Sequence, residues 1–526
     1  MDLQPFNIVN KPGFLRKYQE YHPQYEIPSS KFISERIDIV HEKIKNRVKE
    51  IIDNDNPSTS TISIDGWSAK HHGYMGINRH YIDSNFKRKK FNIGCSPFDK
   101  AHTAINIWNN LNDVLIDWNF TPYLALRDSA HNLIAAFDNE DCNFESTDDI
   151  LHSLQTVVKK GVLKLVSVEN LETKVKKVSS YASHSIKFST ELTEQQKLLD
   201  PQCSPLVLEK FCPTRWNIIY YIFKRMLQLR RPLVNTLMEA ATWPGYKKSI
   251  INEIELTQND FRLMEQVVEV LEPFEEATKM LSNSKACISA VIPVVTTIIL
   301  GLEEIISGSE RGVKGMAKNL KSQMETKFLN IETDKKYYMA TALDVNYKCS
   351  FFRSDDTKSL VKNNLINELS EKFTSEDFDN IAQSNQHFRK SPDTPRSKFT
   401  SLSFAEQMKK IRDKSNKKLG ASTDDIYHKI RGKIESYLDS KCVEEENYDP
   451  LDYWSMAFRT NQPMEVKLSQ IAVHYLTPPV SSVDIERLFS TAADIITDDR
   501  GRIDPYKAEK VLFCHENLPI IGYKYD

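Results

Sequence analysis

The sequence predicts a mixed fold, in which an α/β unit near the N-terminus is followed by a long helical region. Two observations carry this prediction. Between residues 61 and 137, segments with the alternating pattern of strands are interspersed with segments of helical periodicity. Between about 150 and 440, apolar residues recur almost only at steps of three and four. The chain of 526 residues also exceeds what one hydrophobic core supports, so about two to four domains are expected.

The composition narrows the class of protein. Hydrophobic residues make up 40% of the chain and charged residues 27%, which is ordinary for a soluble globular protein. No apolar run approaches the roughly 20 residues that cross a bilayer, and the N-terminal residues show no signal-peptide pattern. We therefore expect a cytosolic or nuclear protein with no membrane partner. Eight scattered cysteines without a Cys-x-x-Cys pair argue against a disulfide framework and against structural zinc.

The elements of the α/β unit follow one another in a recognisable order. A long amphipathic helix is predicted over residues 29–53, and proline and serine in "NDNPSTS" end it. Three strands come next, then a helix, a strand and a helix: "TISIDGWS", "GYMGINRHYID", "KRKKFNIGCSPF", "TAINIWNNLNDVLIDWN", "TPYLALRD" and "SAHNLIAAFD". Three strands, a crossover helix and a fourth strand is the element order of the ribonuclease-H-like fold, in which the first and fourth strands are neighbours.

Two aspartates would meet in this fold. Asp65 is predicted at the end of the first strand and Asp128 at the end of the fourth. The fold would bring these carboxylates, 63 positions apart in the sequence, within reach of a shared metal ion. Taken alone, an aspartate at a strand end is explained as readily by the start of a turn.

The rest of the chain reads mainly as helix. The segment 290–306 is so uniformly apolar that we expect it to be buried. Residues 383–423, which are rich in Ser, Pro, Lys and Arg, predict a flexible linker. The net charge of −2 gives no overall attraction to nucleic acid. Local basic stretches, among them residues 87–90, are explained as readily by a solvated surface as by a binding site.

Near the C-terminus, "SSVDIERLF" predicts a short amphipathic helix that carries Glu486 beside its apolar stripe. Ser481 is the expected N-cap, with Asp484 at the N3 position. Glu486 lies little more than one turn from the helix start, where the helix dipole mildly favours a charged carboxylate. The stripe that packs inward is predicted to be Ile485, Leu488, Phe489 and Ala492.

The segment "DPLDYWSMAF…LSQIAVHYLTPPVSSVDIERLFSTAADIITDDRGRI" resembles the C-terminal signature of the hAT superfamily of DNA transposases. Further blocks resemble the same family in the same order and cover most of the chain: "LQPFNIVNKPGFLRKYQEYHPQYEIPSSKFIS", "SIDGWSA", "LRDSAHNLIAAF", "CPTRWNIIYYIFKRMLQLRRPL", "VEVLEPFEEATKMLS" and "MATALDVNYKCSFF". The likeness is greatest to transposase-derived proteins with a BED-type zinc finger. The positions that match the C-terminal signature are Asp452, Trp454, Ser482, Glu486, Arg487, Phe489, Ser490, Arg500 and Arg502.

The resemblance implies a DDE-type site, in which Asp65, Asp128 and Glu486 hold two Mg²⁺ or Mn²⁺ ions for the cleavage and transfer of DNA strands. Such hard cations prefer oxygen ligands, and a pair of them about 4 Å apart assists in-line displacement at phosphorus. The neighbours of the site would be Trp67, Asn132 and His152. The implied contacts to DNA are Trp216, Arg215, Asn217, Arg487, Arg500 and Arg502.

Trp216 has two interpretations. By resemblance it would stack on a base flipped out of the DNA, which compensates part of the free energy lost on unstacking. The alternative is a tryptophan buried in a helix.

Departures from the family pattern favour a second function. Asp149 stands where the family has the cysteine of a Cys-x-x-His motif, although His152 is kept. Ser129 and His131 also differ, and no BED-type finger precedes the first block in this sequence. The alternative is a domesticated, catalytically inactive nuclear protein that binds DNA or regulates transcription.

The resemblance also implies four parts. These are a DNA-binding-like helical segment (1–58), the first part of the ribonuclease-H-like core (59–150), a helical insertion (151–430) and a C-terminal dimerisation region that completes the core (431–526). It implies a nuclear homo-oligomer, a dimer or larger, with DNA as its partner. The apolar helices of the last part could instead close the core of their own chain, and the sequence leaves both roles open.

Overall fold

The computed structural model describes residues 4–69, 72–98, 101–208, 216–243, 254–308, 311–373, 423–445, 448–495 and 503–522. The strands are β1 (Ser60–Ala69), β2 (His72–Ile82), β3 (Arg88–Pro97), β4 (Leu124–Arg127) and β5 (Glu145–Asp148). The helices up to β5 are α1 (Pro12–Tyr21), α2 (Ser30–Asp55), α3 (Ala104–Asp117) and α4 (His131–Phe137).

Helices make up the rest of the described chain. Those before the gap at 374–422 are α5 (Ile150–Val158), α6 (Val166–His184), α7 (Ile186–Leu199), α8 (Trp216–Gln228), α9 (Arg230–Ala240), α10 (Gln258–Leu281), α11 (Val291–Gly308), α12 (Arg311–Lys327), α13 (Lys335–Leu343) and α14 (Asp355–Glu371). Those after it are α15 (Thr423–Asp439), α16 (Pro450–Arg459), α17 (Pro463–Leu476), α18 (Val483–Ile495) and α19 (Pro505–Ile521). The predicted linker lies almost wholly in this gap, outside the described residues.

The five strands form one mixed sheet in the order β3-β2-β1-β4-β5. The pairs β1–β2 and β2–β3 are antiparallel, whereas β1–β4 and β4–β5 are parallel. The prediction that the first and fourth strands are neighbours is therefore confirmed. The strand β5 was not predicted, because its sequence, "ESTD", has no apolar alternation.

One face of the sheet is closed by apolar packing. Ile62 and Ile64 of β1 and Ile77 of β2 are fully buried there, in a cluster that includes residues of α2 and α3. The helix α2 begins as predicted, since the Ser29 side chain accepts a hydrogen bond from Phe32 N at 3.1 Å. Asn56 ends it in the left-handed conformation, with a φ of 42°.

A second, larger core lies among the helices from α5 to α17. The segment Ile288–Gly308 is long and apolar enough to cross a membrane, which corrects the statement that no such run exists. Of its 18-residue apolar window, 67% is nevertheless buried inside the protein, as the prediction of a buried segment requires.

The C-terminal helices divide between the two cores. The helix α15 packs on α14, and α17 packs on α13 and α14, so these elements belong to the helical core. The helix α18 instead contacts β1 and β2, and α19 contacts β3 and α2. The end of the chain thus returns to the sheet built by its beginning.

Candidate functional site

Asp65 lies within β1, which continues to Ala69, rather than at the end of that strand as predicted. The neighbouring β4 pairs with β1 only as far as Ser63 opposite Leu126. Extending this parallel register by two residues places Asp65 beside Asp128, which directly follows β4. The two carboxylates are therefore brought to one edge of the β1–β4 pair.

Glu486 reaches the same place through a close contact between α18 and the sheet. Gly76 of β2 is the cross-strand partner of Asp65, and paired residues share a face of the sheet. A Cβ atom at Gly76 would lie only 2.6 Å from Ile485 Cγ2, so glycine allows the helix to approach. The Trp67 and Phe489 rings stack beside this contact with centroids 5.6 Å apart. The predicted apolar stripe is buried, which holds α18 and the Glu486 backbone over β1 and β2.

The electrostatics show that the charges of Glu486 and Asp128 both act on Asp65. Burial, with repulsion from Glu486 and Asp128, raises the pKa of Asp65 to about 7, against the lowering effect of the Gly66 N–H. That N–H donates to Asp65 Oδ1 at 2.8 Å. Residues from three distant parts of the sequence thus concentrate negative charge at one place.

Asp128 has a partner of its own in His152. The distance between His152 Nε2 and Asp128 Oδ1 is 2.9 Å, and the Ser129 N–H donates to the same oxygen. Burial raises the pKa of Asp128, but the hydrogen bonds and the charge of His152 outweigh it and the pKa lies below its usual value. The bond to Asp128 in turn raises the pKa of His152.

Asp149 is a positioning residue that the sequence analysis recorded only as a departure. Its Oδ2 accepts hydrogen bonds from Ser482 N at 2.6 Å and Ser482 Oγ at 2.7 Å. Its Oδ1 accepts from His152 N at 3.0 Å, which caps α5. This side chain, 3% exposed, thus joins the start of the helix that carries His152 to the start of the helix that carries Glu486. An aspartate three residues before His152 at a helix start was the one available sequence signal.

The predicted cap of α18 needs a correction. The helix begins at Val483, and Ser482 rather than Ser481 precedes it, since Ser482 O accepts from Ile485 N and Glu486 N. The Ser482 hydroxyl donates to Asp149 instead of capping its own helix, because the buried carboxylate needs donors.

The site fits a hard divalent cation by chemical type. Asp65, Asp128 and Glu486 supply carboxylate oxygens, the ligands that Mg²⁺ and Mn²⁺ prefer, and their mutual repulsion is what a cation would relieve. In the described part of the chain, however, no three His, Cys, Asp or Glu side chains already converge on one point at ligand distances. Two metal ions therefore stay a prediction.

Trp216 and Asn217 lie away from the sheet, in the helical core. Trp216 is 3% exposed, so the conformation seen here corresponds to the packing alternative. Asn217 Nδ2 donates to Glu275 Oε2 at 2.7 Å, across the contact between α8 and α10. Trp216 is thus enclosed in the helical core, and the half-buried Asn217 is engaged with Glu275.

The other predicted residues are placed as follows. Asn132 Nδ2 donates to His102 O at 3.0 Å beside α4, and Arg487 Nη1 donates to Asp484 Oδ1 at 3.2 Å on the exposed side of α18. Three predicted DNA contacts lie outside the described residues: Arg215, Arg500 and Arg502.

Comparison with known proteins agrees with this organisation. A family profile described as the hAT family C-terminal dimerisation region matches residues 433–518. Over its full length the chain is 26% identical to human zinc finger BED domain-containing protein 4, of which it covers 43%. It is 23% identical to zinc finger BED domain-containing protein 6 of human and of mouse, of which it covers 55% and 54%.

The chain spans about half the length of the curated relatives it matches. The similarity runs through β1, β4 and α18 as well as the matched C-terminal region, since each alignment includes 100% of this chain. Residues 433–518 thus match the hAT family C-terminal dimerisation region, and the full chain is homologous to the zinc finger BED domain-containing proteins.

Proposed function

We propose that the chain is a DNA-binding hAT-like transposase, in which Asp65, Asp128 and Glu486 form a metal-dependent site for DNA strand cleavage and transfer. The observation that carries the proposal is geometric: the parallel register of β1 and β4 sets Asp65 beside Asp128, and α18 packs on β1 and β2 with Glu486. The raised pKa of Asp65, caused first by burial and then by the charges of Glu486 and Asp128, agrees with this placement. Carboxylates that come from separate elements and have perturbed pKa values are typical of catalytic sites. A nuclear location belongs to the same proposal.

The proposed architecture is a ribonuclease-H-like core. The strand order β3-β2-β1-β4-β5 supports it, with β1 parallel to β4 and antiparallel to β2. In such a core the carboxylates that act together come from β1, from the end of β4 and from a helix late in the chain. Asp65, Asp128 and Glu486 occupy these three places.

The roles of the side chains follow from their contacts. Asp65, Asp128 and Glu486 would hold divalent ions, which when bound supply Lewis-acid activation of oxygens at phosphorus. His152 Nε2 and Ser129 N both bond to Asp128 Oδ1, so this carboxylate is oriented through one oxygen. The Gly66 N–H orients Asp65 in the same way.

The test is a nicking assay with supercoiled plasmid and Mg²⁺ or Mn²⁺. The full chain should nick the plasmid, whereas Asp65→Asn, Asp128→Asn and Glu486→Gln should each reduce nicking to background. Asp113→Asn is the matched control, since Asp113 is an exposed aspartate of α3 away from the three carboxylates. Nicking that survives all three site substitutions would overturn the assignment.

A second candidate is a catalytically inactive nuclear protein that binds DNA or regulates transcription. The bond between Asp128 and His152, and the lack of a ready three-ligand group among the described residues, favour it. This candidate predicts that the chain binds DNA without nicking it. In titration calorimetry with Mg²⁺ or Mn²⁺, the wild-type chain and Asp65→Asn should then give the same heat.

Either candidate includes self-association through the C-terminal region. Within that region Leu468, Ile471 and Leu512 are already buried in contacts with their own chain. Met456 and Tyr506, which are 66% and 60% exposed, are apolar residues left at the surface. Sedimentation of the wild-type chain and of a Met456→Lys, Tyr506→Lys variant tests whether a dimer uses these surfaces.

A further inference from the structure

A cleft of about 410 Å³ opens where β3 begins, between the N-terminus of α18 and the loop that follows α10. Its basic lining residues are Lys87, Arg88, Lys89, Lys90, Lys285 and Arg487. Its acidic lining residues are Asp449, Asp452 and Asp484. Six basic and three acidic side chains leave an excess of three positive charges, although the whole chain carries a net charge of −2. We call this feature the Arg88 cleft.

The Arg88 cleft and the three carboxylates share one face of the sheet. In the β2–β3 register, His80 is opposite Lys90 and Ile82 is opposite Arg88. Because side chains alternate between faces, Arg88 and Lys90 lie on the face that carries Asp65 and its partner Gly76. Six residue steps of β2 separate Gly76 from Ile82, the partner of Arg88, a length of roughly 20 Å along the strand.

The acidic residues compensate only part of the positive charge. Lys87 Nζ is 3.2 Å from Asp452 Oδ1, so that pair is matched. Asp484 forms ion pairs with both Lys90 and Arg487, each at 3.2 Å. Among the described residues, Arg88 and Lys285 have no acidic partner within 4.0 Å.

Among the described residues that line the cleft, Arg88 has hydrogen-bond donors that lack an acceptor. Its Nη1 donates to Leu476 O at 2.6 Å, which fixes the guanidinium at the wall of the cleft. Its Nε and Nη2 atoms are buried, and within the described ranges they have no acceptor. The Nε and Nη2 hydrogens form the fork that bonds two oxygens of one carboxylate or phosphate. Both atoms are closed to solvent in the conformation seen here, and the charge of Arg88 acts on the buried Asp344 carboxylate, so an oxyanion in the cleft meets the fork only after the guanidinium turns toward it.

The helix start adds to this preference. The N-terminus of α18, a helix of 13 residues, lines the cleft through Ser481 and Val483. Partial positive charge at a helix N-terminus favours a negatively charged ligand. The Asp484 carboxylate offsets part of that charge, so the arginine and the lysines provide most of the attraction.

We propose that the Arg88 cleft binds a backbone phosphate of the DNA whose scissile strand lies at the three carboxylates. This inference rests on the proposed function for the identity of the polyanion. At roughly 3.4 Å of rise per nucleotide, a distance of roughly 20 Å corresponds to about six base pairs. The DNA would thus be held at two points of one sheet face, with α18 bordering both.

The shape of the lining favours DNA over a free phosphate ion. One phosphate needs only the fork of Arg88, once turned toward the cleft, and one or two neighbouring cations. The remaining lysines of β3 and the Lys285 side chain extend the positive surface beyond the reach of a single ion. A continuous backbone, with a charge at every nucleotide, uses such a surface fully.

The experiment measures DNA affinity rather than cleavage. A fluorescent DNA duplex is titrated with the full-length chain and with the double variant Lys87→Gln, Lys285→Gln, over a series of salt concentrations. We expect roughly five- to tenfold weaker binding at about 0.1 M salt, and a salt slope smaller by about one, because Lys285 has no acidic partner among the described residues whereas Lys87 shares its charge with Asp452. The control is Lys318→Gln, Lys429→Gln, which alters two exposed lysines outside the cleft and should change neither quantity.

Two further arms separate the possible outcomes. If the double variant binds DNA like the control, the cleft is not a DNA site and the inference is overturned. If inorganic phosphate raises the thermal midpoint of the wild-type chain but not of the double variant, while DNA affinity is unchanged, the cleft is a site for free phosphate, which also overturns it.

The variant Asp65→Asn keeps the two proposals apart. It should lose nicking but bind DNA like the wild-type chain. Loss of DNA affinity in the cleft variant supports the inference even if no variant nicks DNA, because the readout is binding alone. Conversely, nicking that depends on Asp65 together with unchanged DNA affinity in the cleft variant would leave the proposed function standing and remove the inference.

Discussion

The two faces of the sheet are buried by different means. On one face Ile62, Ile64 and Ile77 pack against α2 and α3, and each is 0% exposed. On the other face β1 and β2 present polar residues, and Ser63 and His80 are hardly more exposed, at 0% and 9%. Apolar packing is non-directional and tolerates many arrangements, whereas buried polar groups need partners in particular places. The first face therefore holds the fold together, and the second determines where α18 and Glu486 lie.

The polar residues obtain these partners both from the neighbouring strand and from remote parts of the chain. Ser63 Oγ lies 2.9 Å from His80 Nε2, and Asp149 binds Ser482 across 333 positions of sequence. Such contacts contribute less free energy than the apolar face, but they fix the register of α18. Substitutions on the two faces should therefore differ in the loss of unfolding free energy. They should also differ in whether they loosen the packing of the sheet or the position of α18.

The largest expected effect is on the apolar face. Ile64→Ala should lower the free energy of unfolding by about 2–5 kcal/mol, because it leaves a cavity in a fully buried cluster. Ser63→Ala, its neighbour on the polar face, should cost only about 1 kcal/mol for its hydrogen bond. Urea denaturation followed by circular dichroism compares them. Equal losses would contradict the division between the faces.

The next effect concerns the anchor of α18. Asp149→Ala removes two hydrogen bonds to Ser482 and one to His152 and should cost about 3 kcal/mol, since these bonds involve a buried charged group. Asp504→Ala is the matched control, because Asp504 caps α19 by a bond to Lys507 N alone. It should cost about 1 kcal/mol. Similar losses of thermal stability would show that Asp149 is only a cap.

The polar face should also respond to pH through His80. Burial lowers the pKa of His80 to about 4 from an ordinary value of 6.5. The folded state therefore binds fewer protons than the unfolded chain below pH 6.5, and its stability should fall between pH 6.5 and about 4. His80→Gln should remove about 2–3 kcal/mol of this dependence. Identical pH profiles for the two chains in urea denaturation would refute the assignment.

The smallest effect tests the close approach of α18. Gly76→Ala places a Cβ 2.6 Å from Ile485 Cγ2 and should cost about 1–2 kcal/mol, with faster amide hydrogen exchange in α18. Gly94→Ala is the control, because its Cβ would meet Val114 Cγ2 at an ordinary 3.5 Å. Unchanged exchange in α18 for both variants would mean that Gly76 is not needed for the contact.

Much of the site was predictable, for identifiable reasons. Alternating apolar residues predicted β1 and β4, and the order of elements predicted their adjacency, because a parallel neighbour requires a crossover helix. The apolar stripe of α18 was predicted from its spacing. The strand β5 was not predicted, since its hydrogen bonds to β4 rather than its side chains make it a strand. Trp216 could not be placed, because one sequence suits both burial and stacking.

The sequence by itself determined most of the elements, their apolar faces and the carboxylates available to a metal ion, because these follow from local spacing and residue chemistry. Only the tertiary structure decided which distant groups meet. It joined Asp149 to Ser482, set Gly76 beneath Ile485 and brought Arg88 and Lys285 into one cleft. The physical reason is that the effect of a buried charge, or of a glycine without a side chain, depends on the group packed against it. That group comes from a distant part of the chain, so the local sequence does not identify it.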